Sequence, residues 1–163
     1  MRYPCEHVGM DFFDSAPTRY TATELVNATP EQVFDAFLDA VAWTKWVWAI
    51  TKVEWTSPHP VEVGSTRTVH MRGGIVGYEE FIAWEPGRRM AFRFNEASMD
   101  TIKRFAEDYR VTDLGDGRCV VDWVMAMDTG QASRRGAAVT EKLMAAFIRH
   151  TLRRFRRYVE ARA

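Results

Sequence analysis

The segment Tyr78–Phe94, YEEFIAWEPGRRMAFRF, places two apolar-rich runs on either side of a Glu85–Arg88 turn. Proline presets φ at the first central position of a β-turn, and glycine accepts the positive φ that the second central position needs. The sequence Glu-Pro-Gly-Arg therefore predicts a β-hairpin, and a hairpin constrains which neighbouring side chains share a face of the sheet.

A register for this hairpin follows if Trp84 faces Arg89 across the turn. It separates an apolar face from a face that carries an ion pair. The cross-strand pairs that it predicts are Phe81–Phe92, Ala83–Met90 and Glu80–Arg93. Such a split indicates a curved sheet with an apolar inner surface, where we expect the functional site.

Composition supports one domain with a cavity. The chain has 163 residues, of which 47% are hydrophobic and 13% aromatic, enough to line a cavity as well as fill a core. The 22 basic and 22 acidic residues balance, so net charge gives no argument for nucleic-acid binding. No apolar run approaches the roughly 18 residues that a membrane span needs, and we expect no stable membrane insertion.

The N-terminus and the cysteines indicate a cytoplasmic protein. The first residues lack the charged-then-apolar layout of a signal peptide. Cys5 and Cys119 are too few for a disulfide framework, and Cys119 lies in a predicted strand as a buried thiol. The four histidines and two cysteines lack metal-ligand spacing, so neither a metal site nor a cofactor is predicted.

The order of predicted elements is β-α-α-β-β-β-β-β-β-α. We expect residues 1–19 to form an extension packed on a single domain at 20–163. Thr29, with Pro30 and Gln32, forms a capping-box pattern that begins a short helix Pro30–Leu38. Asp39 caps a second short helix to about Trp46. The predicted strands are Tyr20–Val26, Ile50–Thr56, Ser65–Arg72, Ile75–Trp84, Arg89–Asn95, Arg104–Leu114 and Arg118–Met127.

One long helix, from about Ser133 to Ala161, closes the chain. Its apolar stripe must be buried against the sheet, which predicts an α+β fold with a seven-stranded antiparallel sheet wrapped around the helix and a cavity between them. The predicted stripe consists of Val139, Leu143, Phe147, Thr151, Leu152, Phe155 and Val159.

The element order and four motifs resemble the START-like, helix-grip superfamily, also called SRPBCC, and within it the polyketide cyclase/dehydrase and lipid-transport group. The motifs are Ala28–Phe34, Val63–Ser65, Glu80–Arg89 and Gly115–Gly117, and the resemblance spans Tyr20 to Val159. It implies a helix-grip fold with an entrance near Trp43, Trp46 and Trp48. Because the motifs are turns and caps, and the superfamily hosts many functions, the resemblance implies no single chemistry.

Two registers are open to the last hairpin. A three-residue loop Gly115–Gly117 pairs Arg110 with Asp122, whereas a two-residue loop sets Arg110 against Trp123. The first register pairs opposite charges and separates apolar from polar side chains, so we prefer it. It turns inward Phe105, Glu107, Tyr109, Val111, Val121, Trp123, Met125 and Met127.

A two-residue Gly73-Gly74 turn, with Arg72 opposite Ile75, predicts the neighbouring register. It pairs Arg67 with Glu80 and makes an outer ladder of Arg67, Glu80 and Arg93. The side chains that it turns inward are Thr66, Thr68, His70, Glu79, Phe81, Ala83, Met90, Phe92 and Phe94. A single bulge would reverse part of this assignment.

The cavity so predicted is mostly apolar with a few polar groups, as in pockets for amphipathic small molecules. The catalytic candidates are His70, Glu79 and Glu107, because histidine titrates near neutrality and buried carboxyls have a raised pKa. The alternative is a strand-end histidine and two rim carboxylates paired with Arg72 or Arg104. The ligand-binding candidates are Trp43, Trp46, Thr68, Phe81, Met90, Phe92, Phe94, Tyr109, Trp123, Met125 and Phe147.

The last helix carries several arginines on one face, namely Arg149, Arg153, Arg156 and Arg157. One interpretation is attraction to an anionic surface or nucleic acid, and the other is a solvated face with cations placed near the helix C-terminus. We favour the solvated face.

Three functions are compatible with these patterns. The first is a module that binds a hydrophobic or amphipathic ligand such as a lipid, an acyl chain or a polyketide-like aromatic. The second is an enzyme resembling polyketide cyclases and aromatases, in which the cavity orients a chain and acid/base residues move protons. The third is a protein-partner-binding domain. Ligand identity, turnover and oligomeric state are not predicted.

Overall fold

A computed structural model describes residues 1–130 and 137–163, with side chains for 1–130 and 141–163. The fold is α+β, with an antiparallel sheet curved around a long C-terminal helix, as predicted. The strands are β1 Tyr3–Pro4, β2 Thr18–Val26, β3 Ile50–Trp55, β4 Thr66–Met71, β5 Val76–Glu85, β6 Arg89–Ala97, β7 Arg104–Asp113 and β8 Cys119–Asp128. The helices are α1 Phe12–Ser15, α2 Pro30–Leu38, α3 Ala40–Trp46 and α4 Ala137–Glu160.

The strand order across the sheet is β2-β8-β7-β6-β5-β4-β3. Every neighbouring pair is antiparallel, so successive strands from β3 to β8 form a meander. β2 pairs with β8, which joins the beginning of the domain to its last strand. β1 lies off this path and pairs with the end of β6.

The two short helices begin where the capping residues predict. The Thr29 side chain accepts a hydrogen bond from the backbone N–H of Gln32, and the Gln32 side chain accepts one from that of Thr29. Asp39 ends α2 and caps α3 by accepting from the backbone of Val41. These caps satisfy backbone donors that a helix start leaves free, and they fix the bend that carries Trp43 to the sheet.

Helix α4 buries a stripe that differs in part from the predicted one. Its most buried side chains are Ile148, Thr151, Leu152, Phe155 and Val159. The prediction for Leu143 is wrong, because this side chain is 66% exposed. It lies about 140° around the helix from Ile148 at about 100° per residue, outside the stripe. The predicted helix start near Ser133 and the Val139 side chain lie outside the described residues.

The N-terminal segment covers the outer face of the sheet. Phe12, Phe13 and Val8 pack on a patch of small residues formed by Ala91, Ala106 and Ala126. Arg93 anchors the segment by donating from Nη1 to the carbonyl of Val8, 3.0 Å away. Alanine on three adjacent strands leaves room for the phenylalanine rings to lie close to the backbone.

The β5–β6 hairpin confirms two predicted pairs and corrects two. Phe81 lies opposite Phe92 and Glu80 opposite Arg93, as predicted. Next to the turn, Trp84 faces Met90 instead of Arg89, and Ala83 faces Ala91 instead of Met90. A register irregularity between Phe81 and Ala83 restores the predicted pairing farther from the turn. Ala83 consequently packs with the outer cluster, so its predicted inward orientation is wrong.

Candidate functional site

A cavity of about 370 Å³ lies between the inner face of the sheet and helices α3 and α4. Nearly all of its wall is apolar, and a small polar group lies within it. Its lining residues are Trp43, Val47, Ala49, Ile50, Arg67, Val69, Met71, Ile75, Glu79, Phe92, Phe94, Ile102, Phe105, Glu107, Tyr109, Trp123, Met125, Met127, Thr129, Met144 and Phe147.

The turn between β4 and β5 determines the polar part of this wall. It is a three-residue turn, Arg72–Gly74, closed by a 2.7 Å hydrogen bond from the Met71 N–H to the Ile75 carbonyl. Arg67 therefore lies opposite Glu79, and Thr68 lies opposite Tyr78. The predicted two-residue turn is wrong by one residue, and since side chains alternate along a strand, this shift reverses the faces of β4.

The predicted inward orientation of His70, Thr66 and Thr68 is consequently wrong. Arg67, Val69 and Met71 line the cavity, and the residues that alternate with them along β4 lie on the opposite face. His70 is partly exposed, with Nε2 3.0 Å from Oε2 of Glu54. His70 therefore has no position from which to act on a molecule in the cavity.

Arg67 takes the place that those residues were expected to hold. Its Nε lies 2.5 Å from Oε2 of Glu79, and the two side chains are 0% and 4% exposed. The guanidinium carbon lies 4.1 Å from the ring centroid of Trp43, 4.8 Å from that of Phe92 and 5.1 Å from that of Phe81. An ion pair on one edge and aromatic faces around it stabilise a charge that burial would otherwise make very costly.

The other edge of the same guanidinium is unpaired. Nη1 and Nη2 of Arg67 are buried and have no hydrogen-bond partner among the residues that the structure describes. Buried polar groups in proteins are nearly always hydrogen-bonded, so two such donors at a cavity wall indicate where a bound molecule's acceptor would be stabilised.

Glu107 lies in the same wall, bonded by two neighbours. Its Oε2 accepts from the Tyr109 hydroxyl at 2.7 Å and from Nε1 of Trp123 at 3.1 Å. Burial, with a smaller contribution from the nearby Glu79 charge, raises the pKa of Glu107 to about 8. The two hydrogen bonds and the charge of Arg67 act in the opposite direction. Glu107 is therefore mostly protonated at neutral pH.

The remaining two titratable groups have distinct charge states. Burial raises the pKa of Glu79, against the opposing charge and hydrogen bond of Arg67. The ion pair with the Arg67 guanidinium balances the charge of an ionised Glu79. Burial raises the pKa of Tyr109 well above 10, and the Glu107 carboxyl adds to the shift, so the phenol stays neutral.

The other predicted ligand residues divide into two groups. Trp43, Phe92, Phe94, Tyr109, Trp123, Met125 and Phe147 line the cavity. Trp46, Phe81 and Met90 are fully buried in the core behind that lining. The interpretation of Glu79 and Glu107 as rim carboxylates is wrong, because both are buried. Arg72 instead donates to the Trp48 carbonyl, and Arg104 pairs with Asp128.

Comparison with known proteins identifies the family. Residues 17–160 match the family described as polyketide cyclase / dehydrase and lipid transport. The chain belongs to this family. An uncharacterized protein of Mycobacterium tuberculosis is 49% identical over 160 residues, covering 98% of this chain and 95% of its own length. An uncharacterized protein of Mycobacterium bovis matches to the same extent, with 49% identity.

Solved structures share the fold at low sequence identity. A START superfamily protein from Mycobacterium smegmatis superposes with a TM-score of 0.68 at 14% identity, covering 88% of this chain and 95% of that one. The Zhui aromatase/cyclase from Streptomyces sp. R1128 gives a TM-score of 0.66 at 15% identity, covering 89% and 92%. At such identities the likeness concerns the fold alone.

Among the charged residues that line the cavity of this cyclase/dehydrase family member, Arg67 is the one that sequence reasoning missed. The strand reads Thr66-Arg67-Thr68-Val69-His70-Met71. Its two large apolar residues, Val69 and Met71, lie two and four residues after Arg67 and so on the same face of the strand. That alternation indicates an inner face containing Arg67. Charge pairing gave the opposite answer because Glu79 and Glu80 are adjacent, so an acid faces Arg67 in either register.

The described part of the chain lacks two further features. None of its helices is long and apolar enough to cross a membrane. Within the same residues, no group of three or more His, Cys, Asp or Glu side chains is arranged to hold a metal ion.

On α4, Arg153 and Arg156 pair with Glu24 of β2 at 3.3 and 2.7 Å, so part of the basic face contributes to packing of the helix.

We predict that the free energy of unfolding falls as pH rises from about 5 to about 8. Over this range folded Glu107, with its pKa of about 8, holds a proton that the unfolded chain releases near pH 4.3. The folded state thus binds more protons, and Glu79 contributes with the same sign. Urea unfolding of Glu107→Gln at both ends of the range should show a flatter pH dependence than that of the wild type.

Glu80→Gln is the matched control, since Asn95 holds the pKa of Glu80 below its usual value and its proton linkage lies at lower pH. Its slope between about pH 5 and about pH 8 should equal that of the wild type. An unchanged slope in Glu107→Gln would show that Glu107 is ionised in the folded protein.

Proposed function

We propose that this protein binds an apolar small molecule in the cavity between the sheet and α4, with a polar group of that molecule directed at Arg67 and Glu107. The observation that carries the proposal is an apolar cavity of about 370 Å³ whose wall contains a buried, partly unpaired guanidinium. A mostly apolar wall with a few fixed polar groups is the composition of small-molecule sites.

The polar groups are held in place before any ligand arrives. Glu79 and three aromatic rings hold the guanidinium of Arg67, and Tyr109 and Trp123 hold the carboxyl of Glu107. A preorganised group loses little conformational entropy on binding. The membership of the chain in a family described by cyclase, dehydrase and lipid-transport functions is consistent with this proposal.

Filling the cavity should weaken binding. We predict that Met71→Trp lowers the affinity for an uncharged environment-sensitive probe, 6-propionyl-2-dimethylaminonaphthalene or a pyrene-labelled acyl ester, by at least about tenfold. Met71 lines the cavity, so a larger ring there occupies ligand volume. Fluorescence titration measures the affinity, and native mass spectrometry of protein purified from cells tests for a retained ligand.

The matched control is His70→Trp, which adds the same ring one residue away on the opposite face of β4. It should bind as the wild type does. Equal affinities of Met71→Trp and the wild type would place the probe elsewhere, and wild-type protein that neither retains a ligand nor binds either probe would contradict the proposal.

A second candidate is an enzyme of the cyclase/dehydratase type, and the state of Glu107 favours it. A carboxyl with a pKa of about 8, bonded to a phenol within an apolar cavity, is suited to proton transfer near neutral pH. The neighbouring cavity wall would hold a reactive chain in a folded conformation. Glu107 would donate a proton to a carbonyl oxygen or remove one from an adjacent carbon.

For this candidate, we predict that Glu107→Gln slows cyclisation of a synthetic poly-β-ketone thioester by about 10²-fold or more, because the amide keeps the shape but cannot exchange the proton. Product formation is followed by liquid chromatography and mass spectrometry. His70→Ala should react at the wild-type rate. Equal rates for Glu107→Gln and the wild type would contradict a catalytic role of Glu107.

A further inference from the structure

The polar cluster of the cavity consists of Arg67, Glu79, Glu107, Tyr109 and Trp123. Its charges balance internally near neutral pH: the Arg67 guanidinium contacts the Glu79 carboxylate, the Glu107 carboxyl is mostly protonated, and the phenol and indole contribute no charge. Each of the five side chains has a hydrogen-bond partner within the cluster. What remains unpaired is the Nη edge of Arg67.

We propose that the polar cluster selects the ligand by charge: it accepts an uncharged group with a hydrogen-bond acceptor, such as a ketone, ester or amide oxygen, and rejects a carboxylate. This inference rests on the proposed function, because it specifies which molecules the cavity takes. It concerns a property that the fold alone does not determine, namely the charge of the polar end.

The available hydrogen-bond donors support an acceptor group on the ligand. Trp43, Phe81 and Phe92 surround the faces of the Arg67 guanidinium, and Glu79 occupies its Nε, so bonding is left to the Nη edge. Oε2 of Glu107 already accepts two hydrogen bonds, and no described residue pairs with its other oxygen. When protonated, that oxygen is a further donor.

The balance of charge opposes a carboxylate. A ligand carboxylate near Arg67 would also lie near Glu79, and it would leave a net negative charge in an apolar, buried space. Burying an unbalanced charge costs far more than one hydrogen bond returns, whereas a carbonyl oxygen gains the hydrogen bonds without that cost. A free guanidinium without Glu79 would reverse the preference.

Three naphthalenes of nearly equal shape test this directly. They are 2-acetylnaphthalene, 2-naphthoate and 2-isopropylnaphthalene, which carry a ketone, a carboxylate and a hydrocarbon on the same ring system. Their affinities for the wild-type protein are measured by isothermal titration calorimetry near pH 6.5. We expect the ketone to bind at least about tenfold more tightly than the carboxylate and several-fold more tightly than the hydrocarbon.

Removing the balancing charge gives a sharper second test. In Glu79→Gln the Arg67 charge is no longer matched, so 2-naphthoate should gain at least about tenfold in affinity relative to 2-acetylnaphthalene. The matched control is Glu80→Gln, which removes the adjacent carboxylate on the outer face, where it bonds Asn95 and Arg93. This control should keep the wild-type order of affinities.

Each outcome separates this inference from the proposed function. If none of the three naphthalenes binds, the proposed cavity function fails and the charge selection fails with it. If they bind but the carboxylate equals or exceeds the ketone in the wild type, or the hydrocarbon equals the ketone, the charge selection alone is overturned. If Glu79→Gln does not fold, Glu107→Gln replaces it: its neutral amide should keep the ratio of ketone to carboxylate affinity unchanged up to about pH 9, where the ionised Glu107 of the wild-type protein should raise that ratio. A wild-type ratio that does not rise above that of Glu107→Gln at about pH 9 would overturn the charge selection.

Discussion

The structure of the cavity depends on the ion pair between Arg67 and Glu79. A guanidinium that is 0% exposed is stable only with a charge partner and with polarisable surfaces around it, and Glu79, Trp43 and Phe92 supply them. Those contacts require β4 to present its odd-numbered residues inward, which the three-residue Arg72–Gly74 turn provides. Turn length, register and charge pairing thus agree on one arrangement.

The pair also determines the electrostatics of its neighbours. Glu79 is the charge that raises the pKa of Glu107 beyond the effect of burial, while Arg67 opposes it. Tyr109 and Trp123 bond one oxygen of the Glu107 carboxyl, so a proton near neutral pH resides on a group whose orientation is fixed. A small set of buried residues therefore gives an otherwise apolar cavity both orientation and a titratable proton. The family membership alone indicates neither property, because the motifs that carry it are caps and turns.

Particular residues show which parts of the structure the sequence could predict. Local signals were reliable: the Thr29 capping box begins α2, and the Gly115–Gly117 loop pairs Arg110 with Asp122. The prediction of the β4 register failed because Arg67 can pair with either Glu79 or Glu80, so cross-strand charge does not distinguish the two registers. The alternation of Val69 and Met71 with His70 does distinguish them, because it shows which face of β4 is apolar. The register irregularity between Phe81 and Ala83 lies beside Trp84, whose ring packs against Phe34 of α2, a residue far away in the sequence that it meets only in the folded protein.

Double-mutant cycles in urea unfolding measure the central contact most directly, by combining Arg67→Met with Glu79→Gln and, separately, with Glu80→Gln. Breaking one side of a buried pair leaves an uncompensated charge, so Arg67 and Glu79 should couple by about 2 kcal/mol or more. Arg67 and Glu80 should couple by less than about 0.5 kcal/mol, because Glu80 lies on the other face. Strong coupling of Arg67 to Glu80 and weak coupling to Glu79 would place Arg67 outside the cavity and contradict this account.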